Sequence, residues 1–169
     1  GGSHKVERAR ELGAHVVIDK STQDLWAEAK AAAPEGFDAI FDANGVSTLG
    51  ASYQHLAPTG RLVVYGFASM LPRAGQRRSW LRLAWHYLRT PRFNPFDLTQ
   101  RNRSVMGFNL SYLFSQTHML SEGMELLLRW ATDGALRPAP VQSFALADAA
   151  DAHRTLESGQ TVGKLVLRP

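Results

Sequence analysis

Three turns stand out as places where this sequence could do chemistry: Asn44-Gly45, Gly66-Phe67 and Phe108-Asn109-Leu110, each directly after an apolar run that reads as a strand. In an open α/β sheet a ligand binds outside the carboxyl ends of the strands, and a glycine there lets the backbone approach it closely. The same glycines also read as plain turn formers, and Phe108 as a core residue. Other chemistry is sparse. The six histidines, His4, His15, His55, His86, His118 and His153, include no H-E-x-x-H pair, so no metal site is expected. Ser104, Ser111 and Ser115 lack the G-x-S-x-G elbow of a hydrolase nucleophile. No G-x-G-x-x-G phosphate-binding turn occurs, and no catalytic acid or base can be assigned.

The elements that would position those turns alternate. Lys5 to Leu12 reads as a helix stopped at Gly13, His15 to Ile18 as a short strand, and Ser21 to Ala33 as a helix broken by Pro34 and Gly36. Phe37 to Phe41 is a strand, Leu49 to Leu56 a short helix closed by Pro58-Thr59-Gly60, and Arg61 to Tyr65 a strand. The rhythm breaks for about forty residues, then returns with a strand at Ser104 to Phe108. A helix from His118 to Thr132, with Leu120, Met124, Leu127 and Ala131 along one stripe, follows. Val141 to Leu146 reads as a strand, Asp148 to Glu157 as a helix and Lys164 to Leu167 as a last strand. Apolar strands alternating with helices predict a doubly wound α/β fold with a parallel sheet.

The 169 residues are 44% hydrophobic and 20% charged, which is the balance of a globular domain and not of a disordered tail. The absence of cysteine excludes disulfides and cysteine-bound zinc. No apolar run approaches the ~20 residues that cross a bilayer, and the start shows no secretory pattern, so a cytoplasmic setting is expected. Residues 1–4, Gly-Gly-Ser-His, read as a tag remnant or as a cut through a longer protein. The formal charge of +4 is uneven: from Leu71 to Arg103 eight arginines stand against the single acid Asp97.

Lys5 to Ala14 followed by His15 to Asp19, then Phe37-Asp38-Ala39-Ile40-Phe41-Asp42 with Asn44-Gly45, Gly60 to Gly66, and Gly163 to Leu167 occur in an order that resembles the cofactor domain of medium-chain dehydrogenases and reductases. Within that superfamily the chain is most similar to the zinc-free quinone oxidoreductase branch. The arginine- and tryptophan-rich insertion at 71–103, ahead of Val105 to Leu110, resembles the vesicle amine transport protein homologues in particular.

The resemblance implies that residues 5–169 are the C-terminal part of an NAD(P)-binding domain. They form a partial Rossmann-type sheet that lacks its first strand-helix-strand unit. In the order 3-2-1-4-5-6 the missing strands would lie between His15–Ile18 and Phe37–Phe41, so the first of these would lose its neighbour. The implied activity is NADPH-dependent, zinc-independent reduction of quinones, enones or related carbonyls by the parent protein, with NADPH preferred over NADH and this chain alone not expected to turn over. Lys5 and Lys20 would contact the adenosine 2′-phosphate, with Ser3 adding a hydroxyl. Asn44, Gly45, Gly66, Phe67, Phe108, Asn109 and Leu110 would line the adenine and nicotinamide side, Phe67 or Phe108 packing on the nicotinamide ring. The family's dimers imply a homodimer through the edge strand Val105–Phe108.

A second reading rests on Arg77 to Arg89. As a helix, this segment sets Trp80, Leu81, Ala84 and Leu88 on one face and Arg78, Arg82, His86 and Arg89 on another, with Trp85 and Tyr87 widening the apolar arc. That is the pattern of an interfacial membrane helix or of a partner-binding helix, which would make the chain a non-catalytic membrane-surface or protein-binding module. The same pattern also fits a helix that packs its tryptophans on the parent protein and leaves its arginines in water or on cofactor phosphate. Pro91 and Pro95 are expected to end the helix. No nucleic-acid module matches, so nucleic acid is not expected as a partner.

Overall fold

The computed structural model describes residues 2–70 and 79–169, and the chain divides into two compact units, Gln23–Ser111 and Gly1–Thr22 with Tyr112–Pro169. The first part of the insertion at 71–103, including Arg77 and Arg78, and the side chain of Arg82 lie outside the described residues.

The unit of residues 23–111 opens with helix α2 (Leu25–Ala32), named after helix α1 (Val6–Glu11) of the other unit. Asp24 caps α2, accepting from Trp26 N and Ala27 N at 3.0 and 2.7 Å, which sets its start four residues later than the composition suggests. Strand β1 (Phe37–Asp42), helix α3 (Leu49–Gln54) and strand β2 (Leu56–Val64) follow. Helix α4 (Trp80–Leu88), helix α5 (Pro95–Arg101) and strand β3 (Ser104–Gly107) complete the unit. The three strands pair in the order β1-β2-β3, all parallel, as the apolar runs predict.

Two expectations change here. The turn Pro58-Thr59-Gly60 does not precede the strand but lies inside β2, looped out where the register jumps from Phe37 opposite Leu56 to Ala39 opposite Arg61. Pro91 and Pro95 do not simply end helical structure either. Asn94 caps α5 by accepting from Phe96 N at 3.0 Å, Pro95 takes the first helical position, and Asn102 closes the helix with a left-handed φ of 51°. Proline at that position sacrifices only an N–H that has no partner in a helix anyway.

One face of the sheet is the core. Ile40, Leu62 and Val105 lie side by side across β1, β2 and β3, and Leu62 is fully buried with Leu49, Tyr53 and Leu56. Phe93 and Leu98 pack on that cluster. Tyr53 ties α3 to α5: its hydroxyl donates to Asp97 Oδ2 at 2.7 Å, and Arg103 donates to its carbonyl at 3.0 Å with the guanidinium 5.4 Å from the ring centre. The next row across the strands, Phe41, Val63 and Met106, has the opposite orientation, and Phe41 remains 69% exposed.

The other unit holds α1, helix α6 (Thr117–Thr132), strand β4 (Val141–Ala145), helix α7 (Ala149–Glu157) and strand β5 (Lys164–Arg168), with β4 and β5 paired in parallel. The expected strand His15–Ile18 does not form; those residues are irregular and Val16 is 60% exposed. The residue types favour a strand, yet a strand needs a neighbour for its backbone hydrogen bonds. No described strand pairs with this segment.

Candidate functional site

The carboxyl ends of β1, β2 and β3 finish level: Asp42 lies opposite Val64, and Val64 opposite Gly107. The three turns singled out in the sequence are therefore brought to one rim. Tyr65 N donates to Asp42 O at 3.0 Å and Phe108 N to Val64 O at 2.9 Å, so the ladder continues into the turns. Ala68 N and Ser69 N donate to Ala43 O and Asn44 O at 3.0 and 2.9 Å, which fastens the second turn to the first.

The two glycines are accounted for by this fastening. A Cβ on Gly45, whose φ is +81°, would stand 2.5 Å from Phe67 Cδ1 and 3.0 Å from Phe67 Cα. One on Gly66 would stand 2.8 Å from Ala43 O. The two turns thus pack on each other's backbone at both glycines. Phe67 and Phe108 are each about half exposed, at 47% and 49%, so both rings have a free face. Asn44, Asn109 and Leu110 are exposed as well, and Asn109 Oδ1 accepts from Ser111 N at 3.0 Å. Beside the rim, on the open face of the sheet, Phe41, Val63, Tyr65, Met106, Gly107 and Phe108 line an apolar recess of about 460 Å³.

Sequence reasoning missed the group that organises the rim. Asp42 is 3% exposed and ends β1 with its carboxylate turned in. Its Oδ1 accepts from Asn44 N, Gly45 N and Thr48 Oγ, each at 2.9 Å; its Oδ2 accepts from Thr48 Oγ at 2.7 Å and Ser52 Oγ at 2.9 Å. The signal available was an acid at the end of an apolar strand with hydroxyls six and ten residues later, the second a helical turn beyond the first.

Lys5 and Lys20 belong to the other unit. Their segments are joined by Ser3 Oγ, which donates to Asp19 Oδ2, while Ser21 N and Oγ donate to Asp19 Oδ1 at 2.9 and 2.5 Å. Lys20 is exposed and Lys5 half-buried. The hydroxyl of Ser21, then that of Ser3, holds the Asp19 carboxyl down to about 2. A buried anion therefore sits next in sequence to Lys20, and Ser3 is already committed to it.

No three His, Cys, Asp or Glu side chains come together in a way that could hold a metal ion among the described residues. The donors among the described residues do not fit a zinc centre.

A family model described as zinc-binding dehydrogenase matches residues 12–167. The chain is 32% identical over 165 residues to the human synaptic vesicle membrane protein VAT-1 homolog, covering 98% of this chain and 42% of that protein. Among solved structures it is similar to the quinone oxidoreductase of Pseudomonas syringae, with a TM-score of 0.73 and 25% identity over 99% of this chain and 47% of that one. It is also similar to mycobacterial Rv1454c complexed with NADPH, with a TM-score of 0.72 and 26% identity over 100% of this chain and 47% of that one. The chain spans less than half the length of each of these relatives.

Proposed function

The chain belongs to the zinc-binding dehydrogenase family, and from that membership we propose that it forms the C-terminal part of the cofactor domain of an NADPH-dependent, zinc-independent oxidoreductase that reduces quinones, enones or related carbonyls. The observation that carries this reading is the rim. Three turns stand at the level carboxyl ends of parallel strands, two of them carrying a half-exposed phenylalanine, and the turn at Phe108 borders an apolar recess. That is where open α/β sheets bind ligands. The NADPH complex of one structural neighbour and the quinone oxidoreductase named in another supply the substrate and cofactor classes.

The residues present fit the nicotinamide and adenine side of such a cofactor and offer no glycine-rich pyrophosphate turn. When bound, the cofactor supplies the hydride, and the protein supplies position and electrostatics. Phe67 and Phe108 would offer their half-exposed side chains to the nicotinamide ring, Phe108 beside the apolar recess. Asn44, Gly45, Gly66, Asn109 and Leu110 set the edge of the groove. In their own unit, Lys5 and Lys20 would be the cations available to a 2′-phosphate, opposed in part by Asp19, which would favour NADPH over NADH. Titrating the protein with both nucleotides tests this. Replacing Lys5 or Lys20 by Glu should weaken NADPH by about tenfold or more, the scale of one charge-assisted contact, and leave NADH unchanged. Equal loss for both nucleotides would refute the phosphate assignment.

The protein works as a homodimer in this reading. Strand β3 stands at the end of the sheet order with one edge unpaired among the described residues, and pairing Val105–Phe108 across a two-fold axis removes that edge. Sedimentation showing only monomer at micromolar concentration would count against it.

Helix α4 favours a second reading. Trp80 and Leu81 are 79% and 85% exposed, Trp85, Tyr87 and Leu88 are exposed too, and Arg89 stacks 5.6 Å from the Trp85 ring centre. No helix among the described residues is long and apolar enough to cross a membrane. An exposed tryptophan-leucine arc with Arg89 stacked on it suits peripheral contact with an anionic membrane surface from a cytoplasmic location. Flotation with phosphatidylserine vesicles, falling off as salt rises, is the expected result. Equal recovery with neutral vesicles would remove the electrostatic part of this reading, and no recovery with either would leave α4 as a packing helix.

A further inference from the structure

We infer that Asp42 is the positioning residue of the rim: its buried carboxylate sets the Asn44-Gly45 turn, and that turn in series sets where the Phe67 ring lies. The inference rests on the reading of the rim as the nicotinamide side of a cofactor site only for its consequence on binding. The coupling itself stands on geometry. Asp42 takes five short contacts from four donors, two of them the amides of the turn, and is almost wholly removed from water. A carboxylate so enclosed has no alternative partner, so the turn cannot tilt without leaving a buried charge short of donors.

The turn in its place fixes the next one. Gly45 meets the Phe67 ring and backbone so closely that no β-carbon fits between them. Asn44 O and Ala43 O accept from Ser69 N and Ala68 N on the far side of Phe67. With Tyr65 N donating to Asp42 O ahead of it, Phe67 is held from both chain directions by the strand end and the turn that Asp42 organises. The two carboxylate oxygens share the work unequally. Oδ1 holds the turn and also meets the Thr48 hydroxyl, whereas Oδ2 meets Thr48 and Ser52, so Thr48 touches both oxygens and Ser52 only the one away from the turn.

That division predicts a pattern of variants. Asp42→Asn keeps an oxygen for Asn44 N and Gly45 N and presents its amide to the two hydroxyls, which accept as readily as they donate. Asp42→Ala removes everything, and Thr48→Val, the milder change, loosens the carboxylate while leaving it in place. Ser52→Ala touches only Oδ2.

The test is amide hydrogen exchange on the full chain, with nucleotide binding measured alongside. Asp42→Ala should speed exchange at Ala68 and Ser69 about tenfold, the scale of one lost hydrogen bond to a charged group. Thr48→Val should do so to a lesser degree, Asp42→Asn and Ser52→Ala should stay near the parent, and the core amides of Leu62 and Val105 should remain protected throughout. The dissociation constant for NADPH should rise in the same order. If Asp42→Ala does not fold, the contrast between Thr48→Val and Ser52→Ala decides the matter. Unchanged exchange at Ala68 and Ser69 while Asn44 and Gly45 loosen would show that the two turns are not coupled and would overturn the inference. Loosened turns in folded variants that bind NADPH as the parent does would keep the coupling and remove Phe67 from the cofactor reading. Failure of the parent chain to bind any nicotinamide nucleotide would count against the cofactor reading instead, and the exchange pattern would still decide the coupling.

Discussion

Replacing Gly45 by alanine is the sharpest single perturbation of the rim, and its cost follows from two separate sources. Alanine at a φ of +81° pays the left-handed penalty of about 1–2 kcal/mol. The new β-carbon would also stand 2.5 Å from Phe67 Cδ1 and 3.0 Å from Phe67 Cα, and overpacking of that kind costs about 1–3 kcal/mol. The sum is about 2–5 kcal/mol. The second source depends on Phe67, and the first does not. In a double-mutant cycle, Phe67→Ala should therefore return about 1 kcal/mol of the loss, since the ring clears while the clash with the Phe67 backbone remains. The assay is urea unfolding followed through the unit of residues 23–111, with amide exchange at the fully buried Leu62 as an independent reading of the same opening. Additivity of the two changes to within about 0.5 kcal/mol would refute the claim that Gly45 is glycine because the two turns touch.

Further outcomes follow from the core, the caps and the titrating groups. Leu62→Ala should cost about 2–5 kcal/mol in the same unfolding measurement, because the side chain is fully buried among Leu49, Tyr53 and Leu56. Asn94→Ala should cost about 1 kcal/mol and fray the start of α5, read as faster exchange at Phe96. The Tyr53 hydroxyl, then Arg101, holds the Asp97 carboxyl below 3.8, so its contribution to stability is complete above that pH and fades as pH falls through the lower folded value. Burial, then Asp97, pushes Tyr53 above 10.0, so its contribution is complete below pH 10.0 and fades as pH rises through the higher folded value. Melting temperature against pH should accordingly drop at both ends, and Tyr53→Phe should abolish the alkaline drop and soften the acid one.

The strands of the sheet at Phe37, Arg61 and Ser104 were legible because each is an apolar run bounded by turn residues, and the rim followed from them, since strand ends place turns. What was not legible depended on partners far away in sequence. His15 to Ile18 has the composition of a strand, and pairing, which composition does not encode, decides against it. Helix α5 carried its signal openly in Asn94-Pro95, but the two prolines were weighed as breakers and not as a cap followed by a first-turn residue. Asp42 was read only as part of a family pattern. Its role needs Thr48 and Ser52 folded back onto the strand end, a contact made by α3 and its cap and absent from any local periodicity. Asp19 likewise acquires its role through Ser3, sixteen residues earlier.

The uneven distribution of burial has a consequence for how the molecule breathes. In the unit of residues 23–111 an aliphatic-aromatic cluster is sealed from water, whereas among the described residues of the other unit only Asp19 and Ala152 are buried. A two-stranded parallel pair with so little enclosed around it has scant free energy with which to resist opening. Thermal fluctuation should therefore visit states in which β4 and β5 part while β1, β2 and β3 stay closed. The polypeptide would then present cleavable, exchange-competent backbone around residues 141–168 long before the rim of the three-stranded sheet lost its shape.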